Sequence, residues 1–116
     1  MKKILIVDDN ENNRILLRAA LEEYVPEEGS VSFDIDEAAN GTEAVDMCAL
    51  KKYDLVFMDI MMPEMDGIEA TKRIRGEDPK VLIIAVSAVD DAAHQKEILQ
   101  NGAEDYIPKP VNIDIF

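Results

Sequence analysis

Short apolar runs alternate with longer amphipathic stretches along the chain. Ile4 to Val7 is uniformly apolar and reads as a buried strand. From Asn12 to Val25 apolar residues recur at helical spacing, and the predicted inner face includes Ile15, Leu16, Ala19, Ala20 and Leu21. Pro26 and Gly29 end that helix. Val31, Phe33 and Ile35 alternate with Ser32, Asp34 and Asp36, the period of a half-buried strand. Asn40 followed by Glu43 is an N-cap with a capping glutamate, opening a helix to about Leu50. Leu55 to Met58 is a second buried strand. Asp66 and Glu69 repeat the capping pattern and open a helix to about Arg75. Val81 to Val86 is the longest apolar strand. Asp90 or Asp91 is placed to cap a further helix, which Gly102 stops. Tyr106-Ile107 is a short last strand, cut off by Pro108.

Strands that alternate with helices predict a parallel sheet with helices on both faces. Central strands of such sheets are apolar throughout and edge strands alternate. The second strand alternates and the fifth is short and proline-flanked, so these two belong at the edges. The expected fold is α/β, a doubly wound, flavodoxin-like sheet of five parallel strands in the order 2-1-3-4-5. Right-handed crossovers then put the first helix on one face and the next three on the other.

Composition narrows the functional classes. The 116 residues suit a single domain spanning 1–116, and 47% are hydrophobic, enough for a core. Lys and Arg number 12 against 25 Asp and Glu, so 12 − 25 gives a net charge of −13. That charge disfavours direct binding to nucleic acid or an anionic membrane surface and favours cations. Cys48 is the single cysteine, so no internal disulfide forms. No apolar run approaches a membrane span. The opening Met1-Lys2-Lys3 precedes only a four-residue apolar run that Asp8 and Asp9 stop, so it is not read as a signal peptide. The expected location is the cytoplasm.

In this fold ligands bind outside the carboxyl ends of the strands, where the strand order reverses. The first strand ends in Asp8-Asp9, the third in Asp59, the fourth in Ser87-Ala88, and the fifth runs into Lys109-Pro110. The first and third strands are neighbours, so three carboxylates converge. Ionised and partly desolvated, they repel one another unless one is protonated or a hard cation sits between them. An oxygen-only donor set without His or Cys suits Mg²⁺. Taken alone, Asp8-Asp9 would read as a helix cap; Asp59 changes that reading. A carboxylate can also be a nucleophile that forms an aspartyl-phosphate. Such a transfer needs cations and donors at the phosphoryl oxygens, and Lys109 and Ser87 stand at suitable strand ends.

Together, Asp8-Asp9, the segment Met58-Asp59-Ile60-Met61-Met62-Pro63-Glu64-Met65-Asp66-Gly67, Ser87-Ala88 and Lys109-Pro110 resemble the response-regulator receiver domain of two-component signalling. The resemblance spans essentially the whole chain. It implies that Asp59 is the phosphoacceptor. It also implies that Asp9 and Asp59 bind Mg²⁺ directly with the Met61 carbonyl, while Asp8 acts through water. Ser87 would reach the phosphoryl group after activation, Lys109 would pair with a phosphoryl oxygen, and Tyr106 matches the aromatic switch position. Many family members carry Thr where Ser87 stands; the hydroxyl is retained. The implied partners are a histidine kinase or phosphotransfer protein and an output partner that the sequence does not identify.

Competing readings are an aspartate-nucleophile phosphatase, a flavin-binding module and a pseudo-receiver used only for protein contact. The phosphatase pattern needs a second Asp two residues after the nucleophile of the first strand, and Asn10 stands there instead. A flavin phosphate loop would not be acidic, as Asp8-Asp9-Asn10-Glu11 is. Among the remaining residues, His94 is expected on a solvated helix face. Met58, Met61, Met62 and Met65 are expected in core packing and loop anchoring, and Cys48 as a core thiol. The chain reaches only Phe116, so a last helix beyond Pro110 is expected to be truncated. Apolar surface would then be left open for a dimer, an element swap or a partner.

Overall fold

The structure is a computed structural model that describes residues 2–23, 33–87 and 92–109. Expectations that rest on Val25, Pro26, Gly29, Val31, Ala88, Asp90, Asp91 and Pro110 lie outside the described residues. So does the expectation of a truncated last helix in 111–116 and of the dimer or partner that would cover it. The elements are β1 (Lys2–Val7), α1 (Glu11–Glu23), β2 (Phe33–Ala38), α2 (Gly41–Leu50), β3 (Leu55–Asp59), α3 (Gly67–Glu77), β4 (Leu82–Ser87), α4 (Ala92–Gln100) and β5 (Asp105–Pro108). All strand pairs are parallel and the order is β2-β1-β3-β4-β5. No helix among the described residues is long and apolar enough to cross a membrane.

Successive strand residues point to opposite faces, so each central strand feeds two cores. Leu5, Val7, Val56, Met58, Ile83 and Ala85 pack with Ala44 of α2, Ile68 and Ile74 of α3, and Ile98 of α4. Ile4, Ile6, Ile35, Phe57, Val86 and Ile107 pack on the other face with Leu17 and Leu21 of α1. One helix therefore covers one face and three cover the other, as the handedness of the crossovers requires.

Both capping patterns form. The Glu43 backbone N–H donates to Asn40 Oδ1 at 2.8 Å, and the Glu43 carboxylate accepts from the N–H of Ala39 at 3.2 Å. The Glu69 N–H donates to Asp66 Oδ1 at 2.9 Å. At the end of α4, Gly102 adopts a φ of 120°, Ala103 N–H bonds to Ile98 O and Gly102 N–H to Leu99 O. This closes the helix in a Schellman motif that only glycine enters without strain.

The rotation of α1 differs from the expectation. Leu17 and Leu21 are buried, whereas Ile15, Leu16 and Ala19 are exposed, Leu16 by 66%. Arg14 and Arg18, four residues apart on one side of the helix, both reach the carboxylate of Glu37 on β2, at 3.1 and 2.7 Å. Arg18 also donates to Ile35 O, and Arg14 to Asp8 O. With these arginines turned toward β2, the line through Leu17 and Leu21 faces the sheet. His94 is half-buried rather than solvated; its four-residue spacing sets it beside buried Ile98. Met58 and Met62 are buried and Met65 packs against the core, but Met61 is exposed in the β3–α3 loop.

Candidate functional site

The strand ends gather Asp8, Asp9 and Asp59. Each offers a carboxylate oxygen, and these oxygens all lie within 4.8 Å of one another. Asp8 and Asp59 are buried, while Asp9 is exposed. Neither Asp8 nor Asp9 is consumed as the cap of α1. That role falls to Asn10, whose Oδ1 accepts from the Asn13 N–H at 3.2 Å. Asp8 Oδ1 accepts the Asn10 N–H at 2.9 Å. The Asp8 carbonyl accepts from Arg14 Nη1 at 2.7 Å, which ties the end of β1 to α1.

Lys109 enters from the end of β5. Its Nζ lies 2.9 Å from Asp59 Oδ1 and 3.4 Å from Asp8 Oδ2. Its backbone N–H donates to Ser87 O at 2.8 Å, which joins the ends of β4 and β5. Burial pushes the Asp59 carboxyl up to about 6 from its ordinary 3.8. The hydrogen bond from Lys109 opposes that rise and the charges of Asp8 and Asp9 add to it. Burial disfavours the ammonium of Lys109, but its hydrogen bond to Asp59 and the nearby carboxylates outweigh this and raise its pKa. Asp59 Oδ2 is buried and has no hydrogen-bond partner. A buried oxygen without a partner, inside an all-oxygen cluster, is what a hard cation such as Mg²⁺ satisfies. The donor set therefore fits that ion.

The other predicted residues stand nearby in different settings. Ser87 is buried at the end of β4, and its hydroxyl accepts a hydrogen bond from Gln95 Nε2 at 2.9 Å. Tyr106 on the edge strand is 38% exposed. Met61 lies two residues beyond Asp59 with its side chain exposed. Cys48 is half-buried against the α2–α4 core. Burial pushes its thiol up to about 11, so it stays protonated.

Three residues that support the site were not singled out from sequence: Arg14, Gln95 and Gly67. Gly67 was visible within the quoted Asp66-Gly67 pair, but its reason is tertiary. A Cβ there would overlap the carbonyl oxygen of Asp59 and stand 2.9 Å from Ile60 Cα, while the Gly67 N–H donates to Ile60 O at 2.9 Å. Gly67→Ala must push α3 away from the end of β3. The expected cost is about 1–3 kcal/mol of stability, together with weaker Mg²⁺ binding. Urea unfolding and a Mg²⁺ titration check this; an unchanged midpoint and affinity would show that the contact gives way freely.

Comparison with known proteins agrees with this geometry. The response regulator receiver domain family matches residues 4–115. The chemotaxis protein CheY of Halobacterium salinarum is 44% identical over 110 residues, covering 94% of this chain and 85% of that protein. The transcriptional regulatory protein SrrA of Staphylococcus aureus is 39% identical over 108 residues, covering 93% of this chain but only 42% of SrrA. A similar fold occurs in the co-crystal structure of the Saccharomyces cerevisiae histidine phosphotransfer protein Ypd1 with the receiver domain of its downstream response regulator Ssk1. There the TM-score is 0.80 and the identity 31%, over 98% of this chain and 82% of that one. With a family match along nearly its whole length and a relative of this identity, the chain belongs to the response regulator receiver domains.

Proposed function

We propose that this domain is a phosphorylation-driven signalling switch in which Asp59 accepts a phosphoryl group from the phosphohistidine of a partner kinase or phosphotransfer protein. The observation that carries this reading is the asymmetric setting of Asp59. One carboxylate oxygen is held by Lys109 at 2.9 Å, and the other is buried without a partner in the three-carboxylate cluster. Mg²⁺ would be held by Asp8, Asp9 and Asp59 with the Met61 carbonyl, Asp8 acting through water, and would neutralise charge on the carboxylates and the phosphoryl oxygens.

In the transfer, an Asp59 oxygen forms a bond to phosphorus as the phosphorus–nitrogen bond of the donor breaks, and the leaving imidazole takes up a proton. Lys109 then pairs with a phosphoryl oxygen instead of the free carboxylate. The Ser87 hydroxyl turns toward the phosphoryl group and Tyr106 moves with it, shifting a two-state equilibrium that an output partner reads. The Ypd1–Ssk1 complex supports a phosphotransfer protein as the donor class. A domain of this kind catalyses its own phosphorylation and dephosphorylation and does not turn over a free metabolite.

Incubation with a small-molecule phosphodonor tests the reading. Intact mass is expected to show one added phosphoryl group with Mg²⁺ present and none with a chelator. No gain in either condition, or equal gain in both, would overturn it.

A further inference from the structure

The inward line of α4 carries two buried residues, Ile98 and Gln95. Ile98 fills the core. Gln95 is a polar side chain at 7% exposure, and a buried amide is tolerated only when it is bonded. Its Nε2 donates to Ser87 Oγ at 2.9 Å.

The direction of Ser87 gives that bond its meaning. Along β4, Ile83 and Ala85 face the α2–α4 core, and Val86 faces α1. Ser87 continues the first series, so its hydroxyl leaves the sheet toward α4. Asp59 follows Phe57 by two residues, and Lys109 follows Ile107 by two. Phe57 and Ile107 both face α1, so the Asp59–Lys109 pair leaves the sheet on the α1 side. Hydroxyl and carboxylate therefore start on opposite faces, although their strands are adjacent and Asp59 pairs in register with Val86. To reach a phosphoryl group on Asp59, the hydroxyl must turn away from α4.

We propose that Gln95 is a positioning residue that latches Ser87 in the resting state through a hydrogen bond that breaks when the hydroxyl turns to the phosphoryl group. This rests on the phosphoacceptor reading above. The latch sets the threshold of the switch. A net hydrogen bond of ordinary strength biases a two-state equilibrium by roughly twofold to tenfold. A variant that keeps the volume of Gln95 and loses the amide leaves the Ser87 hydroxyl without that donor in the resting state. The resting state alone is weakened, so a ligand that selects the turned-in state binds more tightly.

The test uses beryllofluoride with Mg²⁺ as the phosphoryl stand-in, titrated by amide NMR. Gln95→Met is expected to bind it about fivefold more tightly than wild type, and the same substitution made in Ser87→Ala is expected to change nothing. An unchanged or weaker affinity in Gln95→Met overturns the latch, as does an equal gain in the Ser87→Ala background. Should Gln95→Met not fold, the wild-type side-chain amide signals of Gln95 decide. They are expected to shift and to exchange faster with solvent when beryllofluoride binds, and signals that do neither overturn the latch. If wild-type protein fails to bind beryllofluoride at all, the phosphoacceptor reading falls and the latch with it. Binding by wild type without a gain in the variant removes the latch alone.

Discussion

Asp59→Asn is expected to abolish phosphoryl acceptance and also to stabilise the Mg²⁺-free fold near neutral pH. The first effect follows from removing the nucleophilic carboxylate. The second follows from its burial. The folded-state pKa of Asp59 is about 6 against an ordinary 3.8, so the folded protein holds this proton more tightly than the unfolded chain. Its contribution to stability is complete below about pH 3.8 and is lost as pH rises through about 6. The interval of about two pH units corresponds to as much as about 3 kcal/mol at pH 7 to 8. A neutral amide of the same shape avoids that loss, less whatever Lys109 forfeits as its partner. Lys109 keeps Asp8 Oδ2 at 3.4 Å. Urea midpoints of both proteins, measured without Mg²⁺ from pH 4 to 8, isolate the effect, because other carboxylates titrate alike in both. The advantage of Asp59→Asn should be small near pH 4 and grow toward pH 7. In wild type, saturating Mg²⁺ should lower the pH at which the loss begins, since a bound cation favours the ionised carboxylate. Parallel curves would mean that Asp59 is not destabilised by burial. Phosphoryl gain by Asp59→Asn at the wild-type rate would remove it as the acceptor.

Lys109→Ala is expected to separate cation binding from switching. The ammonium sits 2.9 Å from Asp59 Oδ1 and opposes a second positive charge entering the same cluster. Its removal should tighten Mg²⁺ binding by roughly threefold or more. The same removal deprives a phosphorylated Asp59 of the cation that reads its oxygens. It also takes away the side-chain link from the phosphoryl site to the end of β5, where the Lys109 N–H already ties β5 to Ser87 O. Amide shifts around Ser87 and Tyr106 on activation should be large in wild type and much smaller in Lys109→Ala. Equal shifts would take Lys109 out of the switch, and weaker Mg²⁺ binding would show that it supports the cluster rather than competing with the cation. Without Mg²⁺, the variant should lose stability less than a broken ion pair usually costs. The Asp59 carboxyl already lies high enough to take up a proton and shed its charge.

Much of the architecture was legible because it rests on local rules. Asn40 with Glu43 and Asp66 with Glu69 mark helix starts, since an N-cap satisfies backbone donors wherever the chain goes next. Gly102 marks a helix end because few other residues enter its backbone region. The alternation in β2 and the uniform apolarity of β1, β3 and β4 report how many faces each strand buries, and that gives the strand order. From the order follows the meeting of Asp8, Asp9 and Asp59, residues far apart in the chain that stand at the ends of neighbouring strands.

The rest was decided by contacts between elements, which no local pattern encodes. Leu16 and Leu17 are adjacent and both apolar, so periodicity alone leaves the rotation of α1 open. It is the reach of Arg14 and Arg18 to Glu37 that turns Leu17 inward and leaves Leu16 out. Gly67 reads as an ordinary first helical residue until the Asp59 carbonyl is found against it. Gln95 reads as a polar helix residue bound for solvent until Ser87 is found beside it. By itself the sequence determined the elements, their order and the identity of the converging acids, because capping and burial act within each element. The tertiary structure decided which carboxylate oxygen Lys109 holds, which is left without a partner, and where the Ser87 hydroxyl rests. Those depend on ångström-scale distances between side chains that only packing brings together.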